Sequence, residues 1–336
     1  MKVAIIGSGL QAKRRIESIQ EIGSDEVVAI FGINFETLKK ISHRYNVKIS
    51  SDYQSLIDDS EIDVIVICTP PNSHAFYIKK ALEKNKRVLV EKPIFQTSQE
   101  MLSLRAEFGN LLDSNVICGF NHRFHPGITL MKKKLEEGLI GKTLFARSIY
   151  GICARNDYQG EWRSNPEFAS GGQFIEQGSH VIDLFQWMLG KPVGIFCKTT
   201  NLLFEDAPLE DGGMAILTFE SGATAQMHTT LAQWHNEFKL EIFGEKGFLR
   251  VAGLGNAYGV ETLEIGMRDD QKPFSSEIIQ FRGSDISWKE EWIGLKNYFQ
   301  NQTTSNAKFQ DGVNAMKIAE AAYLSNGSSS ETKLDL

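Results

Sequence analysis

Cysteine is scarce in this sequence, with four among 336 residues. They are Cys68, Cys118, Cys153 and Cys197, and no two of them are close enough to form the paired spacing of a zinc site. Small secreted domains that depend on disulfides have more cysteines at closer spacing. We therefore expect no metal site, no disulfide framework and a reducing environment such as the cytoplasm.

Long apolar runs are also lacking, since none approaches the 18 residues that suggest a membrane-spanning helix. Met1 is followed directly by a strand-like segment and not by the charged and apolar regions of a signal peptide. Basic residues do not dominate, because 36 Lys and Arg stand against 42 Asp and Glu, a net charge of -6. The sequence thus predicts a cytoplasmic protein whose partners are neither membranes nor nucleic acids.

What is present is the composition of a folded protein with two domains. Hydrophobic residues make up 42% of the chain and charged residues 23%, which is ordinary for a globular protein. The length is about twice the ~150 residues of a typical domain. We predict domains at 1–120 and 121–310, followed by a closing helix and polar tail at 311–336.

The first 120 residues alternate short β-branched runs with amphipathic stretches, the pattern of a parallel sheet with crossover helices. The predicted strands are Val3–Ile6, Val27–Phe31, Val47–Ile49, Val64–Cys68, Val88–Glu91 and Val116–Gly119. The predicted helices are Leu10–Ile22, Phe35–Tyr45, Ser73–Lys84 and Ser98–Leu112. The fold class of this segment is therefore α/β, with a doubly wound parallel sheet.

Beyond Pro126 the pattern changes to many period-two runs separated by glycine-containing turns. These runs include Leu144–Tyr150, Met214–Phe219, Thr224–Leu231, Phe238–Phe243 and Phe248–Val251. They predict a mostly antiparallel sheet with one face exposed or covered by a partner. Helices are predicted near 128–137, 174–189, 289–300 and 311–324, and the polar run at 325–331 is predicted to be frayed.

A glycine-rich turn follows the first predicted strand and opens the first predicted helix, with the sequence Gly7-Ser-Gly9-Leu-Gln-Ala12. Gly7 permits a tight turn, Gly9 lets the backbone approach a pyrophosphate, and the small Ala12 lets helix and strand pack closely. The helix N-terminus offers N–H groups to the phosphates. This context predicts a dinucleotide-binding site.

The adenosine end of that site is less clearly defined by the sequence. An NAD site usually has Asp or Glu at the end of the second strand, where the carboxylate holds the ribose 2′-OH. This sequence has Gly32-Ile-Asn34 there, and no arginine follows directly to attract a 2′-phosphate. We expect Asn34 to contact the ribose, and both NAD and NADP stay open as cofactors.

A second motif places a lysine at the carboxyl end of a buried strand, in Val88-Leu-Val-Glu91-Lys92-Pro93. With the Gly7 turn it resembles the Gfo/Idh/MocA family of NAD(P)-dependent sugar and inositol oxidoreductases. The resemblance spans nearly the whole chain, because further motifs follow in family order. They are Thr69-Pro-Pro-Asn-Ser-His74, Asn121-His-Arg-Phe-His-Pro126, Gly171-Gly-Gln-Phe-Ile-Glu-Gln-Gly-Ser-His180-Val-Ile-Asp183, Phe243-Gly-Glu-Lys-Gly247 and Asp311-Gly312.

The resemblance implies a Rossmann domain followed by an α/β domain with an open, mostly antiparallel sheet, in a homodimer or homotetramer. It also implies that Lys92 and His180 are catalytic. Removal of hydride from a carbinol carbon leaves an oxygen that must lose its proton, so the site needs a base and a group that stabilises negative charge. His180 suits the base because histidine titrates near neutrality, and Lys92 would hydrogen-bond the same oxygen.

Glu176 is a third candidate catalytic residue, four residues before His180 on the same predicted helix face. The family more often has aspartate at this position. The extra methylene changes the reach of the side chain and not its charge. Glu176 could therefore orient His180, pair with Lys92 or bind a substrate hydroxyl.

The remaining expected contacts follow the same motifs. Cofactor contacts are expected from Gly7, Gly9, Leu10, Gln11, Ala12, Asn34, Thr69, Pro70, Asn72, His74, Glu91 and Lys92. Substrate contacts are expected from Lys92, Asn121, Arg123, Trp162, Arg163 and His180. Structural roles are expected for Asp183, His122 and His125, and Arg155 or Arg163 could hold an anionic group of a substrate.

The resemblance implies an oxidoreductase that moves a hydride between NAD(P) and a hydroxyl carbon of a sugar, sugar acid, nucleotide sugar or cyclitol. Two alternatives stay open. A lyase or glycosidase could use the same site with only transient hydride transfer, so that NAD+ is regenerated. A non-catalytic cofactor-sensing protein would keep the fold without turnover, and the presence of both Lys92 and His180 disfavours it.

Overall fold

The computed structural model describes residues 1–269, 271 and 275–336, which form two compact units. The first unit comprises Met1–Asn121 and Trp288–Val313, and the second comprises His122–Ser287 and Asn314–Leu336. The chain therefore leaves the first unit, builds most of the second and returns to the first. The sequence predicted segment 289–300 as part of the second domain, whereas the structure assigns it to the first unit.

Strands and helices alternate in the first third of the chain, and strands dominate the middle. The strands are β1 Lys2–Ile6, β2 Glu26–Phe31, β3 Lys48–Ile49, β4 Val64–Ile67, β5 Arg87–Glu91, β6 Val116–Gly119, β7 Thr143–Cys153, β8 Pro192–Thr200, β9 Gly212–Phe219, β10 Thr224–Thr230, β11 Ala232–Gly244, β12 Gly247–Ala252, β13 Glu261–Met267, β14 Ser275–Phe281, β15 Ala307–Lys308 and β16 Thr332–Lys333. The helices are α1 Leu10–Ile22, α2 Phe35–Tyr45, α3 Tyr53–Asp58, α4 His74–Glu83, α5 Ser98–Phe108, α6 Leu111–Asn115, α7 Pro126–Glu136, α8 Gln173–Glu176, α9 Gly178–Leu189, α10 Ser287–Phe299 and α11 Phe309–Ser328. None of the helices in the described ranges is both long and apolar enough to cross a membrane.

Within the described residues, the first unit is built on a sheet of seven strands in the order β15-β6-β5-β4-β1-β2-β3. β1 to β6 run parallel, and the short β15 is antiparallel to β6. The central strands consist of aliphatic and mostly β-branched residues because both faces of the sheet are covered, and every residue of β4 is buried. The predicted doubly wound parallel sheet is confirmed.

The strand order decides which turns are neighbours. β4 lies between β1 and β5, and the end of β4 is in register with the ends of both. Because parallel strands point the same way, the turns after these three strands share one edge of the sheet. Those turns begin at Gly7, Cys68 and Lys92, so the sheet brings three of the predicted motifs together.

The helices of the first unit match the prediction in part. α1 lies between Gly9 and Gly23, and α2 between Asn34 and Asn46, as predicted. The single helix predicted for 98–112 is instead α5 and α6, because Gly109 takes a φ of 50° and ends α5. α3 was missed, since six residues are too few to show a helical period.

α10 belongs to the first unit because it completes that unit's core. Trp292 and Leu295 are buried in one cluster with Ile16 and Ile19 of α1. The indole Nε1 of Trp292 donates a hydrogen bond to Asp25 at 3.0 Å. Local sequence patterns identify this helix but not the sheet that it covers, which is why the prediction assigned it to the wrong unit.

The second unit has a sheet whose described strands lie in the order β14-β13-β12-β11-β7-β10-β9-β8-β16. Every neighbouring pair is antiparallel except β7 and β10, which are parallel. One face is buried, and the other exposes alternate side chains such as Phe196, Met214 and Ile216. The predicted mostly antiparallel sheet with one exposed face is confirmed.

The C-terminal residues form regular structure, contrary to the frayed tail predicted for 325–331. α11 continues to Ser328, and β16 pairs with β8 through Thr332 and Ile195. Ser325 is fully buried, and its hydroxyl oxygen accepts a hydrogen bond from the Cys197 N–H at 3.0 Å. The prediction fails because composition does not reveal that these polar groups find partners.

Candidate active site

The turn after β1 requires glycine at its first position. Gly7 has a φ of 117°, a conformation that other residues rarely adopt. A Cβ at Gly7 would also lie 2.5 Å from the carbonyl oxygen of Cys68, at the end of β4. The Gly7 N–H donates to the Phe31 carbonyl oxygen at 2.8 Å, so this turn ties the ends of β1 and β2 together.

The start of α1 is open to a phosphate group. Gly9 precedes α1, and no side chain in the described chain caps this helix. A Cβ built on Gly9 would meet no atom within 4 Å, so a ligand can approach this backbone closely. Leu10 and Gln11 present backbone N–H groups at the helix N-terminus, and Ala12 is fully buried. These residues fit the pyrophosphate of a dinucleotide.

Asn34, the predicted ribose contact, caps the N-terminus of α2. Its side-chain oxygen accepts a hydrogen bond from the Thr37 N–H at 3.0 Å. The neighbouring Ile33 is 99% exposed at the end of β2. Because the side-chain oxygen of Asn34 caps the helix, its amide nitrogen is the atom that would donate a hydrogen bond to a ribose hydroxyl. The predicted ribose contact stays a prediction.

The backbone engages both ring nitrogens of His74, and its predicted cofactor contact stays a prediction. The ring is fully buried, with Nε2 2.8 Å from the Thr69 carbonyl oxygen and Nδ1 3.0 Å from the Pro93 carbonyl oxygen. Burial lowers the pKa of His74, although the two carbonyls favour its protonation. Because backbone engages both ring nitrogens, His74 holds the turn after β4 to the turn after β5. Thr69, Pro70 and Asn72 are partly exposed, and their predicted cofactor contacts stay predictions.

Lys92 follows β5 directly and is partly exposed at the carboxyl edge of the sheet. The peptide bond between Lys92 and Pro93 is cis. β5 is two strands from β1, and strands in a sheet are ~4.8 Å apart. The end of β5 therefore lies roughly 10 Å from the end of β1, close enough for Lys92 and the Gly7 turn to face one dinucleotide.

Glu91 makes buried hydrogen bonds, as expected, but to a partner that the sequence did not reveal. Its Oε1 accepts a hydrogen bond from Arg15 Nε at 2.8 Å and lies 2.7 Å from Arg15 Nη2 in an ion pair. The same guanidinium is bonded to Glu291 and lies 4.5 Å from the ring centroid of Trp288. Burial alone lowers the pKa of Arg15, but the two carboxylates raise it overall, so the group stays charged. Since its carboxylate is committed to Arg15, Glu91 supports the turn of Lys92, and its predicted cofactor contact stays a prediction.

In the second unit, the helix predicted for 174–189 is interrupted between two candidate catalytic residues. Glu176 ends α8 and His180 lies in the first turn of α9, with Gln177 at the junction. The His180 N–H donates to the Gln177 carbonyl at 3.2 Å, a three-residue separation that tightens the turn. The sequence predicted that Glu176 and His180 share one helix face. The structure instead places them in two separate helices.

Glu176 has a basic partner. Its Oε1 accepts a hydrogen bond from Arg163 Nε at 3.1 Å, and Arg163 Nη1 lies 3.6 Å from Glu161. Arg163 also lies 4.4 Å from the ring centroid of Trp162, which is partly exposed. Arg155 is bonded to Glu161 through two hydrogen bonds of 2.6 Å. Both arginines that were predicted to hold an anion thus already face carboxylates of their own unit.

His180 is 5% exposed and stacks on the ring of His122, with 3.7 Å between centroids and 22° between planes. The Nε2 of His122 lies 3.1 Å from the Tyr150 hydroxyl. His125 lies 3.2 Å from Glu261. The packing roles predicted for His122 and His125 are confirmed, and the partner of His122 is the candidate catalytic histidine itself.

Arg123 and Asp183 form a buried ion pair. Arg123 donates from Nε at 2.9 Å and from Nη2 at 2.5 Å, and the two side chains are 4% and 0% exposed. The structural role predicted for Asp183 is confirmed. The Arg123 guanidinium is buried against this carboxylate, and its predicted substrate contact stays a prediction. Asn121 is 3% exposed, and its substrate contact stays a prediction, as does that of Trp162.

Two residues that shape these groups were missed. Arg15 shares the helical spacing of Ala12, Ile16 and Ile19, all buried, and this spacing marks a basic residue on the core face of α1. Tyr150 occupies an inward position in the alternation of β7. Both signals are present in the sequence, but neither one identifies the partner that the side chain meets.

Two family models match separate parts of the chain. Residues 1–113 match an oxidoreductase family with an NAD-binding Rossmann fold, and residues 128–250 match the Gfo/Idh/MocA C-terminal domain. Levoglucosan dehydrogenase of Pseudarthrobacter phenanthrenivorans is 31% identical over 268 residues, which cover 71% of this chain and 67% of that protein. The chain belongs to the Gfo/Idh/MocA oxidoreductase family.

Other members of this family are similar over the full length. Myo-inositol 2-dehydrogenase of Thermotoga maritima is 25% identical over 351 residues, which cover 100% of this chain and 99% of that protein. A solved structure of levoglucosan dehydrogenase in complex with NADH is 22% identical, covers 100% of this chain and 99% of its own, and has a TM-score of 0.90. The predicted family, fold class and NAD(P)-dependent oxidoreductase class are confirmed.

Proposed function

We propose that this protein oxidises a hydroxyl carbon of an uncharged sugar or cyclitol, with NAD+ or NADP+ as hydride acceptor, and catalyses the reverse reduction. The observation that carries the proposal is the position of Lys92, at the end of β5 and two strands from the Gly7 turn. Open α/β sheets bind their ligands at this edge. Relatives named for levoglucosan and for inositols support the substrate class.

Two side chains would do the proton work. The nicotinamide, when bound, supplies the carbon that accepts or donates the hydride. Lys92 would donate a hydrogen bond from Nζ to the substrate oxygen and stabilise the negative charge that develops there. His180 would remove the proton from that oxygen and return it in the reverse direction.

The charges around Glu176 favour an uncharged substrate. A carboxylate or phosphate on the substrate needs a guanidinium or ammonium to compensate its charge in a partly buried site. Arg163 already faces Glu176 and Glu161, and Arg155 faces Glu161. A second anion would compete with these carboxylates, whereas the hydroxyls of a neutral polyol can accept from the arginine and donate to Glu176. Sugar acids and nucleotide sugars, which the sequence left open, are therefore disfavoured.

A substrate panel with both cofactors tests the reaction class. Neutral sugars and inositols would be compared with uronates and nucleotide sugars, and reduced cofactor and product would both be measured. We expect reduced cofactor in a one-to-one ratio with ketone, and kcat/KM at least about tenfold higher for neutral substrates. Product without net reduced cofactor would instead favour the lyase or glycosidase reading. Cofactor binding without any product would favour the sensing reading.

Two variants test the proposed residues. Lys92→Met and His180→Asn should each lower kcat by on the order of 10²–10⁴, while affinity for NADH changes by no more than a few-fold. Lys80→Met is a matched control, because Lys80 is a surface lysine paired with Glu83 in α4. Full turnover in either site variant would refute the assignment of that residue.

The exposed face of the second unit's sheet supports the homodimer or homotetramer that the family resemblance implies. Ile216 is 50% exposed and stands directly opposite Phe196, which is 42% exposed, and Met214 is 53% exposed on the same strand. Apolar side chains that share one sheet face in this way are typical of an interface. We propose that a second copy of the chain covers this face.

A further inference from the structure

The two histidine rings of the second unit are in unusually close contact. His122, in the turn after β6, stacks on His180 with 3.7 Å between ring centroids and 22° between planes. His122 is 6% exposed and His180 is 5% exposed. Nearly 60 residues separate them in the chain, so no local sequence pattern indicates this contact.

Neighbouring side chains hold the ring of His122 in place. The Tyr150 hydroxyl is 3.1 Å from its Nε2, and the Phe238 ring packs edge-on with 5.9 Å between centroids. Tyr150 itself packs against Phe238 and Tyr258. A ring fixed by a hydrogen bond on its edge and by aromatic contacts cannot turn freely, so it presents a constant surface to His180.

Other titratable groups of the second unit lie close to this pair. The ring of His125 meets that of His122 edge-on at 5.4 Å, and its own Nδ1 lies 3.2 Å from Glu261. On α9, Asp183 is one turn beyond His180 and is paired with Arg123. Asp285 Oδ1 also lies 4.0 Å from the Nδ1 of His125, so the carboxylates near the pair are Glu261 and Asp285 beside His125, and Asp183 beside Arg123.

We propose that His122 is a positioning residue for the base His180, and that the two stacked rings accept one proton between them and not two. The proposal rests on the proposed function, which assigns His180 as the base. Two imidazolium rings at 3.7 Å would repel strongly at the low effective dielectric constant of a buried site. A neutral His122 ring, by contrast, supports the positive charge that His180 gains when it takes the substrate proton.

This arrangement has two consequences for turnover. The stack fixes the plane of His180, and small displacements of a reacting group can lower a rate about 100-fold. It also makes the pair titrate as a unit, with macroscopic behaviour that belongs to both rings. A ring that only filled space would fix the plane of His180 in part, but it would not titrate together with His180.

Three variants separate positioning from packing. His122→Ala should lower kcat at least about tenfold with KM for NAD(H) unchanged. His122→Phe keeps a flat ring and should recover most of that loss. His125→Phe is the control, because His125 is also buried and meets His122 edge-on, whereas His180 stacks on His122 face to face. Equal losses in His122→Ala and His125→Phe, or no rescue by phenylalanine, would overturn the proposal.

A second measurement does not depend on turnover or on the variants' folding. The wild-type protein, labelled with ¹⁵N at the ring nitrogens of its seven histidines, would be titrated by NMR between pH 5 and 9. We expect that His122 and His180 are never both imidazolium over this range. Independent protonation of both rings would overturn the proposal. Absence of turnover with every polyol would refute the proposed function, and the titration would still decide the state of the pair.

Discussion

Asp25 is the residue whose contribution to stability the structure defines best. It precedes β2 in the first unit, and its carboxylate is 1% exposed. The N-terminal ammonium lies 2.5 Å from Oδ1, Lys296 Nζ lies 2.9 Å from Oδ2, and Trp292 Nε1 donates to Oδ2 at 3.0 Å. Asp25 therefore joins the start of the chain to α10, which returns to this unit.

The size of that contribution follows from the pKa of Asp25. Burial alone raises the pKa, but the N-terminal ammonium, Lys296 and Trp292 outweigh it and lower the pKa from 3.8 to about 2. At ~1.4 kcal/mol per pKa unit, the charged form stabilises the folded state by about 2 kcal/mol. Because the folded-state pKa is the lower one, this stabilisation is complete well above pH 4 and is lost as the pH falls towards 2. About half of it remains at pH 3.

The assay is urea unfolding of the wild type and of Asp25→Asn, followed by tryptophan fluorescence and circular dichroism at pH 7, 5, 4 and 3. The variant should lose about 2 kcal/mol at pH 7, and the difference between the two proteins should shrink by about half at pH 3. Glu61→Gln is the control, since Glu61 is 71% exposed and its pairing with Lys2 should contribute almost nothing. If the difference in unfolding free energy is independent of pH, or is absent at pH 7, the charge of Asp25 does not stabilise the folded state as proposed.

Two further predictions concern the cofactor and the assembly. Gly9→Val should weaken NADH binding at least about tenfold without lowering the melting temperature, because the added side chain meets ligand and not protein. Gly327→Val serves as the control. Unchanged NADH affinity of Gly9→Val in calorimetry would contradict the phosphate site. Ile216→Asp should convert the oligomer to a monomer in light scattering at micromolar concentration, whereas Ile278→Asp, also exposed but on the edge strand β14, should not. A monomeric wild type would contradict the proposed interface.

The sequence predicted the elements whose signals are local. α1 and α2 match their predicted limits because Gly9, Gly23, Asn34 and Asn46 define their ends. The parallel strands were found because buried β-branched runs recur at regular spacing. The glycine turn and Lys92 could be placed at one edge of the sheet because strand direction and order follow from the doubly wound fold.

The features that the sequence did not predict depend on contacts between distant residues. The helix over 174–189 has a continuous helical period, and nothing in that period shows the tightened turn at Gln177. Arg123 is engaged by Asp183, 60 residues away in sequence, and the Nδ1 of His74 by the Pro93 carbonyl oxygen, 19 residues away. Glu291 returns to Arg15 over 276 residues, and the network that supports Glu91 is visible only in the fold.

The proposed reaction moves a hydride between a hydroxyl carbon of a neutral polyol and the nicotinamide ring. The most direct measurement is a single-turnover reaction of the enzyme and NAD(P)+ with an inositol or sugar carrying deuterium at its ring carbons, followed by mass analysis of the cofactor. We expect the reduced cofactor to gain one deuterium, and Lys92→Met and His180→Asn to form it far more slowly. A consumed substrate with no deuterium in the cofactor would show that no hydride passes from the polyol to the nicotinamide.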